Sequence, residues 1–174
     1  HPGGSWAYIA DLGGADGCMA INWIGIAGAL EGYVFELALT NCFSGSYHYF
    51  DPRLHFVCST MEHIPSSPAS FDITLVSGVL EHLLHPEAVM SEVERITKPG
   101  GLIIIQVPYG GKEGPPNREA DTLSFRSHVR CINPYDIVQG KKNVFVCYIN
   151  YTNNILSPHT LFGEVGDWVA CYER

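Results

Sequence analysis

Short apolar runs alternate along this chain with stretches of helical pattern, and this alternation constrains the fold more than any other feature. Runs of strand character lie at 6–10, 33–37, 54–58, 71–76 and 102–107. Between them, 18–30 is apolar without strand-like alternation, and 86–96 repeats apolar residues every three or four positions. The pattern predicts an α/β fold: a doubly wound, mostly parallel sheet with helices on both faces. Runs at 143–149 and 167–172 predict terminal antiparallel strands.

Glycine and proline residues mark the expected ends of the helices. We expect Gly32 to end the helix over 18–30, and Pro86 to begin the helix over 86–96. The polar, Gly- and Pro-rich segment 109–127 predicts a long loop that acts as a lid or an acceptor loop. A length of 174 residues suits one domain with a real core, so we predict a single domain over 1–174.

A glycine-rich turn follows the first strand, in Asp11-Leu12-Gly13-Gly14-Ala15-Asp16-Gly17. Glycines let the backbone approach a ligand closely, and the start of the next helix offers N–H groups to a carboxylate or phosphate. The spacing is not Gly-x-Gly-x-x-Gly, and no Walker lysine follows. Taken alone, the segment fits a plain tight turn as well as it fits a ligand site.

Glu36 stands at the end of the second strand, roughly 20 residues after the turn. An acidic side chain at that place can accept hydrogen bonds from both ribose hydroxyls of a nucleotide. Its structural alternative is a solvated carboxylate at a strand end. A glycine turn followed by a correctly spaced acid favours a nucleoside ligand.

The charge balance, the hydropathy and the cysteine spacing exclude several kinds of ligand and location. The formal net charge is −8, which argues against general nucleic-acid binding. No apolar stretch is long enough to span a bilayer, and the first residues lack the parts of a signal peptide. The six cysteines form no Cys-x-x-Cys pair, so we expect reduced thiols rather than a zinc site or disulfides, and a cytoplasmic location.

The segment Ile9 to Pro108 resembles the class I S-adenosylmethionine-dependent methyltransferases. The most specific part pairs "FD…S.VLEH…P", from Ser70 onward, with "E..R..KPGG", which ends at Gly101. The resemblance implies S-adenosylmethionine as cofactor and a methyl transfer to an oxygen or nitrogen of a small-molecule acceptor. It also implies a set of cofactor-binding residues: Asp11, Gly13, Gly14, Gly17, Glu36, Thr60, Met61 and Ser77.

Two positions depart from the common form of the family. Thr60 stands where an aspartate usually contacts the adenine amino group, while Met61 can still pack on the adenine face. In the glycine turn, Gly14 and Ala15-Asp16 replace a frequent Cys-Gly-Thr. These departures, and a chain that begins close to the first strand, keep open a non-catalytic binding or regulatory module. A nicotinamide dehydrogenase is a third option, which the missing Gly-x-Gly-x-x-Gly disfavours.

No universal catalytic residue follows from the resemblance, so the candidates are general bases. His82 and His128 have a suitable ordinary pKa for that role. Some relatives bind a divalent metal through Glu-x-x-Glu-His; here Gly78 occupies the first position, and we expect no metal site. Alternatively, Glu81 and His82 cap the loop after the fourth strand with local hydrogen bonds.

Four aromatic residues are weaker candidates for an acceptor pocket. They are Trp6, Tyr109, Phe125 and Tyr135, and each is more simply read as a core or loop anchor. No oligomeric state follows from the sequence.

Overall fold

Eight strands form one sheet in the computed structural model, which describes residues 7–109, 132–150, 155–157 and 166–174. The strands are β1 (Tyr8–Leu12), β2 (Glu31–Glu36), β3 (Leu54–Cys58), β4 (Phe71–Ser77), β5 (Thr97–Tyr109), β6 (Lys142–Asn150), β7 (Ile155–Ser157) and β8 (Gly166–Glu173). The helices are α1 (Cys18–Ala27), α2 (Leu39–His48), α3 (Pro86–Ile96) and α4 (Pro134–Val138), with a 3₁₀ turn at Leu80–His82.

The sheet order is β3-β2-β1-β4-β5-β8-β6-β7. The first five strands in this order pair in parallel, and β8, β6 and β7 add antiparallel pairings. The predicted α/β class, with a mostly parallel sheet and terminal antiparallel strands, is confirmed. Strand order reverses between β1 and β4, and ligands of open α/β sheets bind at such a switch point.

Helix α1 ends earlier than the sequence predicts. Gly28 adopts a left-handed conformation, with a φ of 65°, and its N–H donates to the Ile24 carbonyl. Gly32, the expected end, instead lies within β2, where a Cβ would come 2.7 Å from Ile24 Cδ1. The glycine is needed there for helix–sheet contact rather than for termination. None of the helices in the described ranges is long and apolar enough to cross a membrane.

Buried side chains form two apolar clusters. One joins α3 to the sheet through Val89, Val93 and Ile96, and includes Phe35 and Ile103. The other joins α1 to the sheet and contains Ile9, Ala20, Ile24, Ala29, Val34, Leu54, Ile73 and Leu75. The five cysteines of the described ranges are free thiols.

Asp72 anchors the first strand. Its carboxylate accepts hydrogen bonds from the N–H groups of Ala7 and Tyr8, at 3.0 and 2.9 Å, and from Lys98 Nζ. Burial acts against ionisation, but the Lys98 ammonium and the two N–H groups hold the pKa of Asp72 below its usual range. This contact fixes where β1 begins beside β4.

Candidate functional site

Three strand ends meet at the switch point. Leu12 of β1 pairs with Phe35 of β2 on one side and with Val76 of β4 on the other. The glycine turn, Glu36 and the end of β4 therefore lie side by side at the carboxyl edge of the sheet. The predicted neighbourhood of the turn and the acid is present.

The glycine turn is held by its own backbone. The Gly13 N–H donates to the Phe35 carbonyl at 2.7 Å, and the Gly17 N–H donates to the Gly14 carbonyl at 2.8 Å. Gly13 and Gly17 have φ values of 65° and 83°, in the left-handed region that glycine tolerates. Ala15 occupies the same region at 48° although it has a Cβ, which places strain in the turn.

Glu36 connects β2 directly to this turn. Its Oε2 accepts the Ala15 N–H at 3.0 Å, and its Oε1 accepts the Ala38 N–H at 2.8 Å. The residue is only 9% exposed. An ionised carboxylate has about four acceptor positions, so two hydrogen bonds leave capacity for two more. Glu36 is thus pre-positioned by the backbone and still able to bind donors from a ligand.

Asp11 lies beneath the turn rather than at its surface. Its Oδ2 accepts the Ala20 N–H at 3.1 Å, while its Oδ1 has no hydrogen-bond partner within the described residues. Burial raises the pKa of Asp11 to about 7; the Ala20 N–H opposes this and the Glu36 charge adds to it. A Cβ on Gly14 would come 2.5 Å from Oδ2, so Gly14 permits this packing. A direct role in cofactor binding stays a prediction.

The segment after β3 borders the turn. The Ser59 N–H donates to the Glu36 carbonyl at 3.1 Å, which places this segment beside β2. Met61 is half-buried, and its Sδ lies 3.2 Å from where a Cβ on Gly13 would stand. Thr60 is exposed. The structure thus brings Met61 against the glycine turn, and the assigned contacts of both residues with adenine stay predictions.

Ser77 belongs to a polar row that sequence reasoning did not foresee. Its hydroxyl donates to Gln106 Oε1 at 3.1 Å, and the Gln106 amide donates to Asp167 Oδ2. Ser77 pairs with Gln106 across β4 and β5, and Gln106 pairs with Val169 across β5 and β8. This row depends on the antiparallel register of β8 against β5, and no local motif in the sequence encodes that register.

Glu81 and His82 form an acid–imidazole pair at the same edge. Glu81 Oε1 lies 3.8 Å from His82 Nε2, and the His82 side chain is partly exposed. Burial raises the pKa of Glu81, its own backbone N–H and the His82 charge oppose this, and the Asp167 charge adds to it. A buried carboxyl beside an exposed imidazole is suited to proton transfer.

Most of the remaining candidate residues lie outside the part of the chain that the structure describes. His128, Trp6, Phe125 and segment 110–127 of the predicted lid lie outside the described residues, as does the Tyr109 side chain. The Tyr135 ring packs edge-on against Trp168 at 5.7 Å, as an anchor would. Within the described ranges, no group of three or more His, Cys, Asp or Glu side chains is placed to hold a metal ion.

Sequence comparison finds methyltransferases. A family model described as "Methyltransferase domain" matches residues 29–105. An uncharacterized methyltransferase of Mycolicibacterium gilvum is 35% identical over 79 residues, which are 40% of this chain and 31% of that protein. One of Mycolicibacterium vanbaalenii is 29% identical over 117 residues, 60% of this chain and 42% of that protein. The chain spans less than half the length of these curated relatives.

Solved structures share the fold at low identity. A SAM-dependent methyltransferase from Archaeoglobus fulgidus has a TM-score of 0.73 and 12% identity, covering 97% of this chain and 86% of that one. Phosphoethanolamine N-methyltransferase 2 of Haemonchus contortus, in complex with S-adenosyl-L-methionine, has a TM-score of 0.72 and 15% identity. The match covers 99% of this chain and 50% of that one.

Proposed function

We propose that the chain is a class I S-adenosylmethionine-dependent methyltransferase and transfers a methyl group from S-adenosylmethionine to an oxygen or nitrogen of a small-molecule acceptor; the methyltransferase-domain match over 29–105 supports the proposal. One observation carries the proposal. Glu36 is buried at the end of β2 and accepts the Ala15 N–H of the glycine turn, so a carboxylate and the backbone of the turn form one unit.

The residues present fit the cofactor that the family uses. The unused acceptor positions of Glu36 suit the two ribose hydroxyls, because each hydroxyl supplies one donor. Those N–H groups of the glycine turn that are not bonded within the protein suit the carboxylate of the amino-acid part. Met61 offers a polarizable surface for the adenine ring beside Gly13.

The sulfonium group of the bound cofactor supplies an electrophilic methyl group. The protein then has to align the acceptor with that methyl and exclude water. We assign the proton transfer to His82: its neutral imidazole accepts the proton that the acceptor hydroxyl or ammonium loses. The Glu81 carboxylate, 3.8 Å from His82 Nε2, favours the imidazolium that forms.

Transfer of a labelled methyl group tests this proposal. The protein is incubated with methyl-labelled S-adenosylmethionine and a panel of small amines, phenols and alcohols, and labelled product is separated. We expect turnover with at least one acceptor class, and a loss of about 100-fold or more in kcat for His82→Ala. His85→Ala is the matched control, because His85 is exposed and bonded to Glu87, two residues further on.

A second candidate, a binding module without catalysis, is favoured by Ala15. Its positive φ strains the turn at a place where the family commonly has glycine. In that case the protein binds S-adenosylhomocysteine but methylates no acceptor of the panel. Turnover with any acceptor excludes it, and binding without turnover contradicts the first proposal.

A further inference from the structure

Helix α2 presents a large apolar surface to solvent. Leu39, Phe43 and Tyr47 recur every four residues and form one stripe, with exposures of 54, 69 and 85%. Phe50, just beyond the helix, is 98% exposed. These four residues are called the α2 patch below. No Asp, Glu, Lys or Arg occurs in 37–50, although 16% of the chain is charged.

The patch faces away from the rest of the molecule. Gly45 is the contact side of α2, because a Cβ there would come 2.4 Å from both the Asp16 carbonyl oxygen and the Phe56 ring. At 100° per residue, the stripe lies roughly 120–160° around the helix from Gly45. Helix α2 packs over β2 and β3, and β3 is the last strand on that side of the sheet. Within the described residues, nothing covers the stripe.

The patch has about the size of a protein interface. Large apolar side chains at these exposures present on the order of 100–200 Å² each, or roughly 600–700 Å² together. Monomers rarely expose more than about 300–600 Å² of contiguous apolar surface, and a stable complex covers about 800 Å² on each partner. Edge strand β3 also lacks lysine, proline and any bulge against β2, the features that protect an edge from pairing.

The surface is also complementary to itself. A cleft of about 210 Å³ lies beside Phe50, lined by that ring and by Ser46, Tyr49, Asp51, Pro52 and Leu54. A protruding ring next to a cleft of ring size allows two copies related by a two-fold axis to fill each other's cleft. Two chains of net charge −8 repel each other, but the helix carries no charged residue and Asp51 at the cleft is paired with Arg53 at 2.7 Å, so opposing like charges are few at this surface.

We propose that the chain forms a two-fold homodimer through the α2 patch, with the Phe50 ring of each copy seated in the cleft of the other. The patch is on the side of α2 opposite Gly45, which contacts Asp16 of the glycine turn, and the dimer does not require the cofactor. Failure of either proposal therefore leaves the other standing.

Sedimentation velocity of the full chain, from about 1 to 100 μM, tests the dimer. We expect a species of twice 19.2 kDa, and a rise of roughly 30-fold or more in the dimer Kd for Phe50→Ala and for Phe43→Glu. Ile26→Glu is the matched control: Ile26 is 76% exposed on α1, outside the patch, and its variant keeps the wild-type Kd.

The folded state of each variant is checked by circular dichroism. Phe50 is almost fully exposed, so its replacement by alanine leaves the fold intact. A mass of 19.2 kDa at every concentration overturns the proposal. So does a dimer whose Kd is the same in Phe50→Ala, Phe43→Glu and the wild type, because another surface then forms it. A mass that grows beyond the dimer contradicts the two-fold arrangement.

Discussion

Asp11 gives this protein a pH-dependent stability opposite in sign to that of an ordinary paired carboxylate. Burial beneath the glycine turn raises the pKa of Asp11 from 3.8 to about 7. The folded state therefore holds a proton that the unfolded chain releases near pH 4. Stability from this group is full below the unfolded pKa and declines as the pH rises through the folded value.

The size of the effect follows from the two pKa values. This difference in pKa lowers the free energy of unfolding by about 4 kcal/mol as the pH rises from below 4 to above 7. About 3 kcal/mol of that loss occurs between pH 5 and 8. Domains of this kind are stable by only about 5–15 kcal/mol, so the loss is a large fraction of the total.

Asp11→Asn tests this reasoning in urea unfolding at several pH values. Asparagine still accepts the Ala20 N–H but cannot ionise. Between pH 5 and 8, the free energy of unfolding therefore falls by about 3 kcal/mol less in the variant than in the wild type. Asp51→Asn is the control. The Arg53 side chain lowers the pKa of the half-buried Asp51 to about 2, so both the folded and the ordinary pKa of Asp51 lie below this window. An equal pH dependence in wild type and Asp11→Asn would refute the argument.

Three further predictions concern the glycine turn, the contact of Asp72 with the start of β1, and Thr60 in the segment after β3. Ala15→Gly relieves the positive φ and raises the free energy of unfolding by about 0.5–1 kcal/mol in urea; a loss contradicts the assigned strain. Asp72→Asn lowers stability by about 1–3 kcal/mol above pH 4. That difference shrinks as the pH falls through the lowered pKa of wild-type Asp72, whereas a constant difference points to packing alone. Thr60→Asp supplies the acceptor common in the family and tightens S-adenosylhomocysteine binding about 3–10-fold by calorimetry, while Thr60→Ser leaves it unchanged.

Local patterns predicted the parts of the fold that depend on local chemistry. Helix α3 covers the predicted 86–96, because Pro86 suits its first turn and its apolar spacing matches one buried face. Strand β3 also matches its predicted bounds. The meeting of Glu36 with the glycine turn was predictable because neighbouring parallel strands end at one edge of the sheet.

Helix α2 was not predicted, since its apolar side chains face solvent and its contact side consists of Cys42 and Gly45. Strand β5 begins at Thr97, where the sequence predicts only the end of a helix. Pairing with distant segments explains this: Thr97 pairs with Phe71 of β4. The Gly100 N–H donates to the Arg174 carbonyl, and the Arg174 N–H donates to that of Gly101. Such partners are distant in sequence, so no window around Thr97 contains the signal.

The central claim is that Glu36, held against the glycine turn, binds the ribose of the cofactor. Calorimetric titration of S-adenosylhomocysteine into wild type, Glu36→Gln and Glu31→Gln tests it most directly. Glu31 lies at the other end of β2 and bonds Tyr33, so it is the matched control. We expect wild type and Glu31→Gln to bind alike, and Glu36→Gln to bind about 10-fold or more weakly, since it loses charge-assisted hydrogen bonds. Unchanged affinity in Glu36→Gln, or no heat with folded wild-type protein, would contradict the claim.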